Sequence, residues 1–184
     1  MSMSELHKPE WYGECAIISD KYNDYVQIKY KCNGTGTLYD YSLFPGINLI
    51  FMDFNCSDIF HEPIPNKNII EIRHYQKGRV EFELRNNKVF HMKEGELCIN
   101  ALANVPAAYS FPFGYSVGLS CVIDKDSIDA KTKQIFSYYN IDVLNLGQEL
   151  EIEKKWFLCR TPQRLLHIFD ELYAAKGVEG KDYF

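Results

Sequence analysis

The amino-acid sequence predicts a mainly-β domain, an antiparallel barrel or sandwich followed by two to three C-terminal α-helices. Three observations carry this. The stretch NIIEIRHYQKGRVEFELRNNKVFHMKEGELCINAL, residues 68–102, divides at Lys77-Gly78, Asn86-Asn87 and Glu94-Gly95 into extended runs of about seven to nine residues, the spacing of a β-meander. Between Tyr25 and Ile123 about nine such runs follow one another with no helical period between them. At Asp124 the pattern changes to the 3.6-residue period of helices.

A chain of 184 residues fits one domain and buries a sizeable core without disulfide support. Apolar residues make up 46% and aromatics 15%, a bias toward strands and toward an aromatic interior. The balance of 20 Lys+Arg against 25 Asp+Glu leaves a net charge of −5, and no basic run tracks a phosphate backbone, so no nucleic-acid surface is expected within this chain. No apolar run reaches the roughly 20 residues of a membrane-spanning helix, and MSMSELHKPEW lacks the basic and apolar regions of a signal peptide. The expected location is therefore cytoplasmic, with no membrane partner. The six cysteines never form a C-x-x-C pair and are expected to be reduced, mostly in the core.

Taken in order, residues 1–24 are mixed and polar and are expected to form an N-terminal arm. Residues 25–123 form the expected barrel. Tyr25–Lys31 alternates as a strand, Asn33-Gly34-Thr35-Gly36 is a turn, and Thr37–Phe44 alternates again until Pro45-Gly46 breaks it. INLIFMDFN is apolar on both faces, which suits a central strand covered on both sides or one facing a cavity. Ser57–Lys67, with Pro63 and Pro65, is a loop leading into the meander. Within the meander, Ile70, Ile72 and His74 share one strand face and Glu71, Arg73 and Tyr75 the other. The same holds for Val80, Phe82 and Leu84 against Arg79, Glu81 and Glu83, and the charged face is expected to be wet. A short strand ends near Phe111–Gly114, and Tyr115–Ile123 is a long apolar one.

Residues 124–184 form the expected helical segment. DKDSIDAKTKQIFSYYN offers acidic residues for a helix start and Ile128, Ile135, Phe136 and Tyr139 as an apolar side. Ile141–Leu150 is a short second candidate. The third has Thr161 as N-cap, Pro162 in the first turn, Leu165, Leu166, Ile168, Phe169, Leu172 and Tyr173 at helical spacing, and a stop at Gly177.

One ordered set of residues resembles a known family. Phe44-Pro45-Gly46-Ile47 with Leu49, Phe51 and Asp53 at alternate positions is followed by Ile72-Arg73-His74-Tyr75, Gly78-Arg79 with Glu81, and Glu94-Gly95-Glu96-Leu97. The Phe111-Pro112 break and the helix over Pro162–Tyr173 complete it. Across residues 30–175 this resembles the N-terminal, cupin-like sensing and dimerisation domain of AraC-type bacterial transcription regulators. The resemblance implies a jelly-roll barrel that binds a small-molecule effector and helices that form a homodimer. It also implies DNA contact only through a helix-turn-helix domain that this chain, ending at Phe184, does not contain.

The alternative is a stand-alone cupin-type enzyme acting on a small substrate. A metal-dependent one needs His-x-His, a nearby Glu and a later His, but Gln76 stands where the partner of His74 belongs, and His91 supplies no carboxylate. Phosphate-loop, G-x-S-x-G and H-E-x-x-H motifs are absent from the sequence. No cofactor, no metal and no enzymatic activity are therefore expected. Ligand-binding candidates are polar or aromatic groups in phase with apolar neighbours: His74 with Ile70 and Ile72, Asp53 with Leu49 and Phe51, Tyr39 and Tyr41 with Leu43, and His91 with Val89. Phe51 completes that expected pocket.

Overall fold

A computed structural model describes residue 12 and residues 16–22, 25–60, 65–84, 88–103 and 105–176. The strands are β1 (Ala16–Lys21), β2 (Tyr25–Tyr30), β3 (Gly34–Phe44), β4 (Ile47–Cys56), β5 (Asp58–Phe60), β6 (Asn66–Leu84), β7 (Val89–Lys93), β8 (Glu96–Leu102), β9 (Pro106–Ser110), β10 (Ser116–Asp124) and β11 (Phe157–Arg160). Two α-helices follow the barrel strands, α1 (Ala130–Tyr138) and α2 (Gln163–Ala175). The chain is a curled, antiparallel β structure with C-terminal helices, the mainly-β class the sequence predicts.

The main sheet runs β1-β2-β3-β4-β10-β6-β8-β11, while β5, β9, the second half of β6 and β7 form the opposing wall. Strand β6 belongs to both. The sequence suggests a hairpin turn at Lys77-Gly78, but β6 passes through it as one strand of 19 residues. Gly78 instead marks a corner: its φ is +85°, and a Cβ there would lie 2.4 Å from the backbone oxygen of Tyr115, so glycine alone fits the crossing of β6 under β10. Before Gly78, β6 pairs with β10 and β8; after it, with β7 and β9.

The N-terminal segment contributes to the barrel where it is described. β1 pairs with β2, and Tyr12 is buried, its backbone oxygen accepting the Tyr30 hydroxyl at 2.9 Å. Most of the expected arm, the Asn86-Asn87 turn and the helix stop at Gly177 lie outside the described residues.

The C-terminal segment differs from expectation in three places. Ile141–Leu150 is a series of turns with one 3-10 turn at Gln148–Leu150, because Gly147 sits at a φ of +84° and interrupts any α-helical path. Phe157–Arg160 is a strand that extends the sheet beyond β8, with Phe157 opposite Ile99 and Arg160 opposite Glu96. Helix α2 begins at Gln163 with Pro162 in the cap position, and no side chain caps it, so Thr161 does not serve as N-cap. In α1, Asp129 does cap, its Oδ1 accepting the Thr132 amide at 2.7 Å.

The core has two layers. Inside the curl lie Val26, Ile28, Leu38, Ile50, Met52, Phe54, Ile59, Tyr75, Val80, Phe82, Met92 and Tyr109, all buried. The outer face of the main sheet is covered as well. α1 and residues 141–157 pack over Ile70, Ile123 and Ile128, and α2 packs over Leu49, Phe51 and Leu119. A sheet covered on both sides has no wet face at its centre.

Candidate functional site

Strand register sets the site. On one face Ser120 of β10 stands between Ile50 of β4 and Arg73 of β6; one residue away, on the other face, Leu119 stands between Phe51 and His74. Because side chains alternate, the first trio points into the curl and the second out toward α2.

The inward face carries a polar group in an apolar chamber. Arg73 and Glu71 form a bidentate ion pair, Nη2 to Oε2 at 2.6 Å and Nε to Oε1 at 3.1 Å, with both side chains below a tenth exposed. Ser120 Oγ donates to the same Oε1 at 2.5 Å. The guanidinium carbon lies 5.0 Å from the centre of the Phe82 ring and 5.5 Å from that of Tyr109, whose hydroxyl is 3.5 Å from Nη2. Among the described residues, Nη1 has no hydrogen-bond partner although it is buried.

Glu71, Arg73, Ser120 and Tyr109 line a cavity of about 70 Å³ whose remaining wall is mostly apolar, with Leu38, Ile50, Met52, Ile59, Leu102 and Val122 among it. Burial works against the Arg73 cation, but the adjoining Glu71 carboxylate, with Tyr109 and Tyr75, outweighs it and holds the guanidinium firmly protonated. Burial also raises the Tyr75 and Tyr109 hydroxyls above their ordinary range, so both stay neutral. Chemically, the chamber presents a neutralised ion pair whose guanidinium keeps one nitrogen, Nη1, unpartnered among the described residues, surrounded by hydrocarbon and aromatic rings.

The outward face forms the seat of α2. The His74 ring stacks on Phe169 with centroids 4.1 Å apart and planes at 9°. Its Nδ1 lies 3.1 Å from the Tyr173 hydroxyl, which also donates to the His74 backbone oxygen at 3.1 Å. Burial lowers the His74 pKa from 6.5 to about 4, against a weaker opposing pull from Asp170, so the ring is neutral near pH 7. Phe51 meets Tyr41 edge-on at 5.7 Å and Tyr173 at 6.4 Å. Past the helix end, Lys176 Nζ reaches Asp53 Oδ2 at 3.3 Å and lies 4.8 Å from the centre of the Tyr39 ring.

Five of the six sequence candidates, Tyr39, Tyr41, Phe51, Asp53 and His74, thus gather on the outer face beneath and beside α2, and His91 is exposed on β7 opposite Glu81. None of the six lines the cavity. The expectation that Glu71, Arg73 and Tyr75 face water is corrected: all three are buried and line the cavity. Charge misled the assignment, because Glu71 and Arg73 neutralise each other and so can be buried together. Sequence reasoning missed Glu71, Arg73, Ser120 and Tyr109. The signal that points to them is INLIFMDFN, apolar on both faces. Strands near one covered on both sides share its covers, so charges there are inside something.

Among the described residues no group of three or more His, Cys, Asp and Glu side chains is arranged to hold a metal ion. No described helix is long and apolar enough to cross a membrane.

No protein-family profile and no curated protein matches the chain. Solved structures do, cupin domains among them. The EutQ protein of Clostridium difficile shares 15% identity over 50% of this chain and 66% of its own, with a TM-score of 0.38. A cupin domain of an XRE-family transcriptional regulator from Enterobacter cloacae shares 15% over 47% of this chain and 94% of its own, at 0.37. A variant of the oxalate decarboxylase of Bacillus subtilis shares 13% over 84% and 44%, at 0.40. The chain spans 66%, 50% and 37% of the length of the first three structures it matches. Regulators and an enzyme both occur among these neighbours, and none of them assigns an activity to this chain.

Proposed function

We propose that this chain is the effector-sensing and dimerisation domain of an AraC-type transcription regulator, taking a small molecule into the barrel cavity without transforming it. The observation that supports this reading most is the back-to-back placement of Arg73 and His74. One residue apart on β6, the first lines the cavity and the second is the platform on which α2 sits. A molecule that hydrogen-bonds Arg73 changes the position or stiffness of β6, and the helix resting on the other side of that strand feels it. Differential affinity for two α2 arrangements is what a sensor requires, since a ligand binding both equally shifts nothing. Homodimerisation through the C-terminal helices, and DNA contact through a helix-turn-helix domain outside this chain, complete the proposal.

The test is a thermal-shift panel of sugars, amino acids, aromatic acids and small neutral organics, with sedimentation velocity on every hit. At a hundred times its Kd a native-state ligand adds about 2.7 kcal/mol, which in a domain of this size raises Tm by roughly 5–10 °C. A compound that raises Tm and alters the monomer–dimer balance supports the reading. A panel with no effect on Tm overturns it, and consumption of a hit, followed by NMR, favours the cupin-type enzyme instead.

A further inference from the structure

Resting on that reading, we infer that the barrel selects a compact, uncharged molecule bearing a carbonyl or amide oxygen, which accepts the N–H groups of Arg73 Nη1, and that it discriminates against the carboxylate of the same shape. An arginine in a pocket ordinarily suggests an anionic ligand, because guanidinium and carboxylate match as a fork. Here that fork is already occupied: Nε and Nη2 both bind Glu71. Among the described residues, the other ionisable groups on the cavity wall are Tyr12, Tyr30, Tyr75 and Tyr109. Among the described residues the charges on the wall are those of Arg73 and Glu71, one positive and one negative, which sum to zero.

An incoming anion would make that sum −1 in a largely apolar chamber. Its attraction to Arg73 would be opposed by repulsion from Glu71, and it would lose its hydration without a compensating charge. A neutral acceptor carries no such penalty. It also pairs a buried donor that otherwise has no partner among the described residues. The charge arithmetic therefore favours the neutral ligand even though the recognising group is a cation.

Size narrows the class further. A cavity of about 150 Å³ accepts benzene. With about 70 Å³ available, the barrel suits a molecule of four or five non-hydrogen atoms, below the size of a sugar ring. The wall beyond Arg73 is apolar, so the rest of the molecule is a short hydrocarbon. Propionamide and acetone are suitable probes of this class, and propionate is the charged counterpart of propionamide.

The experiment titrates each probe into the full chain at pH 7, following methyl and amide NMR shifts of cavity residues together with Tm. Propionamide or acetone is expected to bind at least tenfold more tightly than propionate. Glu71→Gln, which leaves Arg73 uncompensated and the wall at +1, is expected to reverse the order, with propionate now raising Tm more than propionamide. If that variant fails to fold, the wild-type ranking decides alone. Propionate binding the wild type as tightly as propionamide overturns the neutral-ligand inference while leaving the sensing proposal standing. The same division follows if neither probe binds but another compound of the wider panel does. Silence of both the probes and the panel overturns the two together.

Discussion

Strand β6 carries the same ion pair twice, and the two copies sit in opposite environments. Before Gly78, Glu71 and Arg73 are two residues apart, 2.6 Å between charged atoms, with side chains 8% and 6% exposed. After Gly78, Arg79 and Glu81 are two residues apart, 2.8 Å between charged atoms, with side chains 39% and 32% exposed. Spacing, residue types and strand are the same. What differs is the layer above: the first half of β6 lies between the cavity and the helices, whereas the second half pairs with β7 and β9 and buries only Val80 and Phe82 of its alternating set. The energetic weight of a charged pair is thus set by what covers it.

The sharpest way to break that comparison is to remove one charge from the buried copy. Arg73→Met leaves Glu71 without its bidentate partner, inside, and should cost about 3–5 kcal/mol in urea unfolding. Replacing both, Glu71→Leu with Arg73→Met, should recover most of the loss, because a buried pair exchanged for apolar side chains of similar volume is often neutral or stabilising. A single variant that loses less than about 1 kcal/mol would mean that water reaches the pair.

On the opposite side of the same residues, Phe169→Ala removes the ring stacked on His74. Phe169 is half-buried, so the expected cost is about 2 kcal/mol, below that of a fully enclosed Phe. Hydrogen exchange should show α2 opening while the cavity strands β4, β6 and β10 keep their protection. Equal loss of protection in both would show that the helix and the barrel do not separate.

Acid tests the same seat. The His74 pKa lies at about 4 in the folded protein and at 6.5 in its absence, so the unfolded or undocked chain takes up the proton first. The stability tied to the neutral ring is complete above pH 6.5 and is lost as pH falls toward 4. Between pH 7.5 and 5 the loss should be about 1 kcal/mol, discounted for water at the ring edge. Subtracting the curve of His74→Gln isolates it from the other groups that take up protons over the same range. A wild-type and variant difference that does not change with pH would place the imidazole in water.

The fold was open to sequence reasoning because turn residues and two-residue alternation are local, and Gly46, Gly95 and the change of period at Asp124 all mark real boundaries. So was the grouping of side chains: Tyr39, Tyr41 and Leu43, together with Leu49 and Phe51, do share one face. Which face is inside was not open to it. Alternation has two phases, and hydrophobicity chooses between them only when one face is wet; once α2 covers the outer face, both phases are apolar enough. Three strands of the main sheet, β3, β4 and, across β10, β6, therefore reverse together, taking the expected site from the cavity to the helix seat. The corner at Gly78 was hidden for a related reason. Glycine at positive φ serves a hairpin and a bend in a continuous strand alike, and the distinction comes from β10 crossing at Ser116, some forty residues later.

The smallest effect belongs to the exposed copy of the pair, and it is the one that most sharpens the comparison. Arg79→Ala removes a charge that solvent already screens, so Glu81 keeps its hydration and no buried group is orphaned; the expected cost is about 0.5 kcal/mol, falling toward zero in 1 M salt. The buried pair should show almost no salt dependence, since ions do not enter the barrel interior. Measuring Arg73→Met and Arg79→Ala at low and high salt therefore compares one chemical interaction at two depths in one strand. If Arg79→Ala costs as much as Arg73→Met, or if salt weakens both alike, burial does not separate the two halves of β6. The neutral-cavity argument built on Glu71 and Arg73 then loses its physical basis.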